Sequence, residues 1–261
     1  FGGGMMSGWG YAESPLVDGE RLVCTPGGNG GTLVALNKKT GATIWRSSEF
    51  KDSAAYSSIV PAEIAGEKMY VQLTGESVAG IAPESGKLLW KAARKGDTAV
   101  VATPIVKDDC VFVTSSYRTG SCNLFKISKE GGSFKASQVY SNTDMANHHG
   151  GVVLVGDYIY GHSDRKGWLC MEFKSGKVMW DRGKLDKGSI AYADGHLYCR
   201  AERGPGTMVL IEATPEGWRE TGRFDQPNRI GQNTWAQPVI ADGKLFIRDH
   251  DVLLCYDVKG K

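Results

Sequence analysis

The chain alternates short apolar runs with tight polar turns. Segment 16–24 holds two apolar runs on either side of Asp18-Gly19, and segment 238–247 holds two on either side of Asp242-Gly243. An Asp-Gly pair between two β-rich runs is a strong hairpin signal, because a primed turn needs positive φ at its centre. No apolar stripe at helical spacing persists over three turns. The pattern therefore predicts β-hairpins along the whole chain and no long helix.

A second hairpin phrase recurs six times. Its clearest copy is Ala35-Leu-Asn-Lys-Lys-Thr-Gly41-Ala-Thr-Ile-Trp45, and it returns at 81–90 and 171–180. Its turn glycines are spaced by 45, 46, 44, 41 and 43 residues, at Gly41, Gly86, Gly132, Gly176, Gly217 and Gly260. A fixed period in this range is typical of a repeat architecture, and two hairpins per repeat give the four strands of a propeller blade.

We therefore predict an all-β fold, a β-propeller of four-stranded antiparallel blades with six repeats in a single domain spanning 1–261. The predicted repeats are approximately 1–45, 46–90, 91–136, 137–180, 181–221 and 222–261. The Trp that follows the turn glycine is expected to pack flat against the next blade. The structural docking residues predicted on this basis are Gly41, Trp45, Gly86, Trp90, Gly176 and Trp180.

Composition and charge indicate which kinds of partner the protein has. The 261 residues are 41% hydrophobic, with 35 glycines and 9 prolines that fit a turn-dense β protein, and the net charge is +2 with acids and bases interspersed. This balanced charge does not favour a nucleic-acid partner. No apolar stretch approaches the roughly 18 residues of a membrane span. We expect a monomer without a transmembrane segment.

The N-terminus is interpreted as cut from a longer protein. The chain starts at Phe1 rather than at Met, and no Thr-Gly-x-x-x-Trp phrase precedes its first repeat. Any export signal would then lie upstream. Residues up to about Ala12 are expected to lack partners from the missing upstream blade, and Lys261 is expected to end before its outer strand.

Five of the six cysteines lie inside apolar strand runs, at Cys24, Cys110, Cys170, Cys199 and Cys255. There a cysteine behaves as a small hydrophobe, and no pair has the CxxC spacing of a zinc or redox site. Free buried thiols are expected. A bridge within one blade, such as Cys110–Cys122, remains the alternative.

The repeated phrase resembles the tryptophan-docking repeat of quinoprotein-like propellers. That group includes the pyrroloquinoline-quinone (PQQ) alcohol dehydrogenases and the propeller lipoprotein of outer-membrane protein assembly. Stretches 5–19 and 148–155 are similar to PQQ-binding-like repeat proteins of planctomycete-type bacteria. The resemblance implies an exported, periplasmic protein. It also implies a ring of seven or eight blades, of which the six repeats would be the C-terminal part.

The sequence departs from the quinoprotein dehydrogenases at the cofactor site. Those enzymes stack a vicinal Cys-Cys pair on the quinone and hold Ca²⁺ with Glu, Asn and Asp side chains, whereas this chain has no adjacent cysteines. The dense polar stretches Asp249-His-Asp251 and 144–147 are interpreted as turn residues rather than calcium ligands. No metal site is predicted.

Residues just before the innermost strand of each blade should line one mouth of the propeller channel. Aromatic and uncharged polar groups dominate this rim, with Glu13 as its acid and Lys187 as its base, which favours a neutral or mildly polar ligand. The predicted ligand-binding rim residues are Trp9, Tyr11, Glu13, Tyr56, His148, His149, Asn233 and Trp235.

His148-His149 is the sharpest local signal, since three of the five histidines lie between 148 and 162. Adjacent residues on a strand point to opposite faces. One ring is therefore expected between blades and the other in the channel. The alternative is a metal ligand or general base with His162 nearby.

Three functions remain open. The sequence favours a non-catalytic binding or assembly scaffold, with a protein, polysaccharide or small polar ligand at the channel mouth and no cofactor. The first alternative is a dehydrogenase that uses PQQ with Ca²⁺ on alcohols or sugars. The second is a hydrolase or lyase that uses the His148/His149 rim. The sequence names no catalytic residue.

Overall fold

The computed structural model describes residues 1–259, so Gly260 and Lys261, and the predictions that fall on them, lie outside the described residues. The chain divides into two compact units, Phe1–Asn142 and Thr143–Lys261. Every regular element in the described range is a β-strand. The strands form six antiparallel sheets, and in each sheet the strands neighbour one another in chain order.

The first unit contains three four-stranded sheets. Sheet 1 consists of β1 (Leu16–Asp18), β2 (Arg21–Cys24), β3 (Val34–Asn37) and β4 (Thr43–Arg46). Sheet 2 consists of β5 (Val60–Ile64), β6 (Glu67–Leu73), β7 (Ser77–Ile81) and β8 (Leu88–Ala93). Sheet 3 consists of β9 (Ile105–Lys107), β10 (Cys110–Ser115), β11 (Ser121–Glu130) and β12 (Ser133–Asn142).

The second unit contains two four-stranded sheets and one sheet of three described strands. Sheet 4 consists of β13 (Val152–Val155), β14 (Tyr158–Ser163), β15 (Gly167–Glu172) and β16 (Val178–Gly183). Sheet 5 consists of β17 (Gly188–Ala193), β18 (His196–Ala201), β19 (Met208–Glu212) and β20 (Glu220–Phe224). Sheet 6 consists of β21 (Val239–Ala241), β22 (Lys244–Asp249) and β23 (Val252–Asp257). Sheets of this size and order are propeller blades, so the predicted fold class is confirmed.

The hairpin turns have the predicted geometry. Asp242 and Gly243, between β21 and β22, have φ of 51° and 72°, and Asp194 and Gly195, between β17 and β18, have 47° and 77°. Two successive residues with positive φ make a primed turn whose twist matches that of the flanking strands. The primed turn predicted at Asp242-Gly243 is therefore confirmed. At Asp18-Gly19 only the glycine has positive φ, at 57°, because Asp18 still pairs with Arg21 as the last residue of β1.

The recurring phrase forms the same turn in its three clear copies. Gly41, Gly86 and Gly176 all have φ of 72°, and the Gly41 and Gly86 amides donate to the carbonyls four residues earlier at 2.8 and 2.9 Å. After the first of these turns, the Trp45 indole N–H donates to Pro83 O of sheet 2 at 2.8 Å. A Cβ placed on Gly86 would lie 2.5 Å from Trp45 Cε3. The glycine of one repeat thus makes room for the tryptophan of the preceding repeat.

The other two tryptophans differ in their partners. The Trp180 indole donates to Thr214 O of the next sheet at 2.8 Å. The Trp90 indole instead points to Met69 Sδ of its own sheet, at 3.1 Å. In two of the three clear copies of the phrase, the tryptophan indole therefore donates a hydrogen bond to the following sheet.

The core of each unit lies between neighbouring sheets. Inner strands are covered on both faces: β7 is buried at all five of its positions and β10 at all six. Outer strands bury fewer positions, as the alternating pattern of β12 shows. This difference explains why the inner runs are continuously apolar while the outer runs alternate.

The N-terminal segment is hydrogen-bonded to loops of sheets 1 and 2, within its own unit. Met5 forms a parallel bridge with Ala54, and the Met6 amide donates to Ala54 O at 2.9 Å. The Gly4 amide donates to Pro26 O at 3.0 Å. Backbone hydrogen bonds to loops of the same unit therefore hold residues 4–6 in place.

The thiols are mostly buried, as expected. Cys170 and Cys199 are free and inaccessible, and burial raises the pKa of Cys170 to about 12. Cys110 and Cys122 are also buried. Two cysteines differ: Cys24 is half-buried, and Cys255 is exposed because alternate residues of β23 face the solvent.

Candidate functional site

All eight predicted rim residues lie in loops that precede the first strand of a sheet. Trp9, Tyr11, Glu13 and Tyr56 belong to the first unit, and His148, His149, Asn233 and Trp235 belong to the second. The structure thus sorts them into two groups, one in each unit.

The group in the first unit is built on aromatic contacts. Trp9 keeps 62% of its surface exposed, although its ring centroid lies 6.2 Å from that of Tyr56 and 5.6 Å from that of Tyr117. Tyr56 is buried, and its hydroxyl is hydrogen-bonded to Ser7 Oγ. We refer to Trp9, Tyr56 and Tyr117 as the aromatic cluster. Sequence reasoning missed Tyr117, which follows the second strand of its sheet rather than preceding the first.

Two predicted residues flank this cluster in different ways. Tyr11 is 55% exposed, and its hydroxyl donates to Pro26 O at 2.8 Å. Glu13 is half-buried, and its carboxylate accepts the backbone N–H of Thr25. Burial raises the pKa of Glu13 despite that hydrogen bond. Tyr11 therefore presents its ring to solvent, whereas Glu13 anchors a loop.

In the second unit the rings of the two adjacent histidines lie side by side. Their ring centroids lie 5.0 Å apart, so the expectation that they point to opposite faces is wrong. That expectation assumed a strand, but the chain bends here and β13 begins only at Val152. The bend brings Gly150 so close to Gly188 that a Cβ would lie 1.8 Å from Gly188 O. Only glycine permits this approach.

His148 is held as a neutral acceptor. Lys187 Nζ lies 2.5 Å from His148 Nδ1 and 2.8 Å from Asp164 Oδ1. Burial, together with the charges of Lys187 and His149, lowers the pKa of His148 to about 4. The ammonium group therefore donates to the imidazole and pairs with the carboxylate at the same time.

His149 forms a buried pair with Glu202. Its Nε2 lies 2.5 Å from Glu202 Oε2, with 12% and 8% of the two side chains exposed. Burial raises the pKa of Glu202, but the hydrogen bond and charge of His149, aided by Lys187, outweigh it and leave this pKa below its usual value. Because the carboxyl is ionised, His149 donates through Nε2. Its other nitrogen, Nδ1, is buried without a hydrogen-bond partner among the described residues.

Trp235 lies beside this pair. Its ring centroid is 6.0 Å from that of His149, and 61% of the residue is exposed. We refer to the polar residues and this tryptophan together as the histidine cluster, which consists of His148, His149, Asp164, Lys187, Glu202 and Trp235.

Backbone hydrogen bonds join the loops that carry the histidine cluster. The Glu202 amide donates to Lys187 O at 2.9 Å, and the Thr234 amide donates to Glu202 O at 3.0 Å. Arg229 Nη2 donates to both Glu202 O and Gln232 O, at 2.8 and 2.7 Å. One guanidinium therefore fixes the Glu202 loop against the loop that leads to Trp235.

Sequence reasoning missed the two acids of this cluster. Asp164 directly follows β14 and Glu202 directly follows β18, which are the second strands of their sheets. In an antiparallel meander the loop after the second strand lies at the same end as the loop before the first strand. A search of the loop after the second strand, as well as the loop before the first, would have found both acids.

The PQQ and Ca²⁺ alternative needs side-chain oxygens that are available to bind a calcium ion, so the partners of the candidate acids matter. Asp249 is buried and accepts from Gln226 Nε2 at 2.7 Å while pairing with Arg229. Asp144 pairs with Lys166 at 3.3 Å. Among residues 1–259 no group of three or more His, Cys, Asp or Glu side chains is arranged to hold a metal ion. Asp249 and Asp144 are therefore each engaged by side chains of the protein itself.

Comparisons with known proteins identify one matching family and two similar structures. The profile of the family described as outer membrane protein assembly factor BamB matches residues 7–182. The structure is similar to that of the computationally designed Ika8 protein, with a TM-score of 0.66 and 10% identity over 94% of this chain and 70% of that one. BamB from Moraxella catarrhalis matches with a TM-score of 0.46 and 12% identity over 94% of this chain and 82% of that one. A search of the curated proteins found no match.

The described residues contain no helix that is long and apolar enough to cross a membrane.

Proposed function

Because this chain belongs to the family described as outer membrane protein assembly factor BamB, we propose that it is a non-catalytic scaffold that binds a protein partner. We place the contact surface at the aromatic cluster of the first unit, with Tyr11 at its edge. The proposal includes an exported, periplasmic location, which the family description supports.

The observation that carries the proposal is the exposure of Trp9. A tryptophan with 62% of its surface in water buries little apolar area within its own fold. Yet the rings of Tyr56 and Tyr117 hold it in place, so little side-chain entropy is lost when a partner covers it. Tryptophan and tyrosine are the residues most enriched in the energetic centres of protein interfaces.

The surroundings of Trp9 favour an apolar or aromatic side chain as the partner group. The guanidinium of Arg118 lies 5.9 Å from the ring centroid of Tyr117, which gives the surface a cationic edge. Tyr11 adds a further ring with 55% exposure. A partner segment with an apolar anchor and a nearby acid would match both features.

Site-specific photocrosslinking in the native cell tests this proposal. A photoreactive phenylalanine analogue replaces Tyr11, and the same analogue replaces Leu253 as a control, since Leu253 is 65% exposed in the second unit. We expect a discrete protein adduct at position 11 that mass spectrometry assigns to an outer-membrane assembly component. Equal or absent adducts at positions 11 and 253 would contradict the proposed surface.

A further inference from the structure

Trp235 presents a large open aromatic face beside a set of polar side chains. It is 61% exposed, and its nearest aromatic neighbour is the His149 ring, at 6.0 Å between centroids. Two residues before it, Asn233 accepts a hydrogen bond from Arg203 Nε at 3.2 Å. Arg203 Nε also lies 3.5 Å from Glu202 Oε1. Guanidinium, amide and carboxylate groups therefore lie together where the loop after β18 meets the loop that carries Trp235.

The charges around this face are balanced. Lys187 is paired with Asp164, and the Glu202 carboxylate is shared between His149 and Arg203. His148 is neutral, because burial and the adjacent Lys187 depress its pKa to about 4. Such a site offers many hydrogen-bonding atoms but little net charge, which disfavours a strongly anionic or cationic ligand.

The tryptophan is held by a rigid support. Thr234 is buried, its amide donates to Glu202 O at 3.0 Å, and its hydroxyl donates to Arg248 O at 3.2 Å. Arg229 bonds the carbonyls on both sides of this contact, at Glu202 and Gln232, and is itself paired with the buried Asp249. A platform fixed in this way requires little reordering when a ligand binds.

We propose that the face of Trp235 binds a neutral sugar ring of an oligosaccharide. The C–H face of the sugar stacks on the indole, while Arg203 and Asn233 hydrogen-bond its hydroxyl groups. A sugar combines an apolar face with a ring of neutral donors and acceptors, and this matches an exposed indole bordered by an amide, a guanidinium and a charge-balanced rim. The site lies in the second unit and does not depend on the protein contact proposed for the first.

The test is calorimetric titration of the full-length protein with neutral tetrasaccharides of glucose (β1,4 and α1,4), N-acetylglucosamine and mannose. Tetragalacturonate and a proline-rich decapeptide serve as the anionic and peptide competitors. We expect at least one neutral tetrasaccharide to bind with a Kd between about 10 μM and 1 mM, the range of small exposed sites. We expect tetragalacturonate and the decapeptide to bind more weakly.

Variants locate the binding. Trp235→Ala should weaken sugar binding by about tenfold or more, whereas Trp235→Phe should retain most of it because a ring remains for stacking. Trp9→Ala, which removes the central residue of the proposed protein contact, should leave sugar binding unchanged. Matching thermal midpoints for Trp235→Ala and the wild type show that the loss is not due to unfolding.

Three results would overturn the proposal. They are the absence of binding of every neutral tetrasaccharide at millimolar concentration, tighter binding of tetragalacturonate or the decapeptide, and sugar binding that is insensitive to Trp235→Ala. None of them bears on the crosslinking test at position 11, so the two proposals fail independently.

Discussion

His149 Nε2 lies 2.5 Å from Glu202 Oε2, although 53 residues separate the two in the chain. The contact joins the loop before sheet 4's first strand to the loop after sheet 5's second strand. Since both side chains are almost fully buried, this hydrogen bond is part of what holds the second unit together.

Glu202→Gln should destabilise the second unit. The substitution keeps the shape but removes the charge that pairs with His149, at a cost of about 1–3 kcal/mol in the free energy of unfolding. Glu216→Gln is the control, because Glu216 is 64% exposed in its pair with Arg219, and it should change that free energy by less than about 0.5 kcal/mol. Urea denaturation measures both, and equal effects would show that burial of the Glu202 pair does not matter.

Acid should destabilise the second unit between about pH 6.5 and pH 4. Burial lowers the pKa of both His148 and His162 to about 4 in the folded protein, whereas unfolded histidine titrates near 6.5. The unfolded state therefore binds more protons in this window, so the free energy of unfolding falls as the pH falls. Glu202, with its lowered pKa, adds a loss in the same direction below its unfolded value near 4.5.

Thermal unfolding of the wild type and of His148→Gln and His162→Gln checks this pH dependence. Each variant should show a flatter slope of stability against pH from 6.5 to 4 than the wild type. A slope that is unchanged in both variants would assign the acid sensitivity to other groups.

Gly150→Ala should strongly disrupt the bend that brings the two histidines together. The new Cβ would lie 1.8 Å from Gly188 O, a backbone atom that cannot swing away. We expect a loss of about 2 kcal/mol or more in stability. Gly8→Ala is the matched control, since nothing lies within 4 Å of a Cβ there; a similar loss in both variants would argue against the close approach.

Comparing Gly86→Ala with Gly41→Ala separates the cost of a packing clash from the cost of backbone strain. Both have φ of 72°, so alanine adds the same strain at each, about 1 kcal/mol. Only at Gly86 would the Cβ meet Trp45, at 2.5 Å from Cε3, because nothing lies within 4 Å at Gly41. Gly86→Ala should therefore cost roughly 1–2 kcal/mol more than Gly41→Ala in urea denaturation. Equal losses would mean that Trp45 can move aside.

We expect no PQQ-dependent dehydrogenase activity. The chain has no adjacent cysteines. Asp249 is engaged by Arg229 and Gln226, and Asp144 is paired with Lys166. Titration of the protein with PQQ and Ca²⁺, alongside alcohol-dependent dye reduction, measures this. Micromolar quinone binding with turnover would reinstate the enzyme alternative.

The hairpins and the repeat were predictable because turn chemistry is local. Asp242-Gly243 requires only two residues to adopt positive φ, and the phrase ending in Trp45 repeats its own spacing. The candidate site was less predictable, because its geometry depends on contacts between repeats. The orientation of His149 depends on Gly150 meeting Gly188, which no periodicity encodes.

The positions of Glu202 and Glu13 also could not be fully predicted from the repeat pattern. Glu202 follows a strand of one sheet and meets a histidine from the preceding sheet, so its role depends on pairing across the repeat boundary. Glu13, which precedes a first strand as the pattern required, is instead turned toward the Thr25 amide. Position in the repeat predicts which end of a sheet a residue occupies, but not the direction of its side chain.

The most direct test of the scaffold account is the affinity of the full-length protein for the partner captured at position 11. Wild type, Trp9→Phe and Trp9→Ala are compared by calorimetry, with Trp235→Ala as the control in the second unit. The account predicts that Trp9→Ala weakens partner binding by about 30-fold, equivalent to roughly 2 kcal/mol, and that Trp235→Ala leaves it unchanged. Unchanged partner affinity in Trp9→Ala, at an unchanged thermal midpoint, would contradict it.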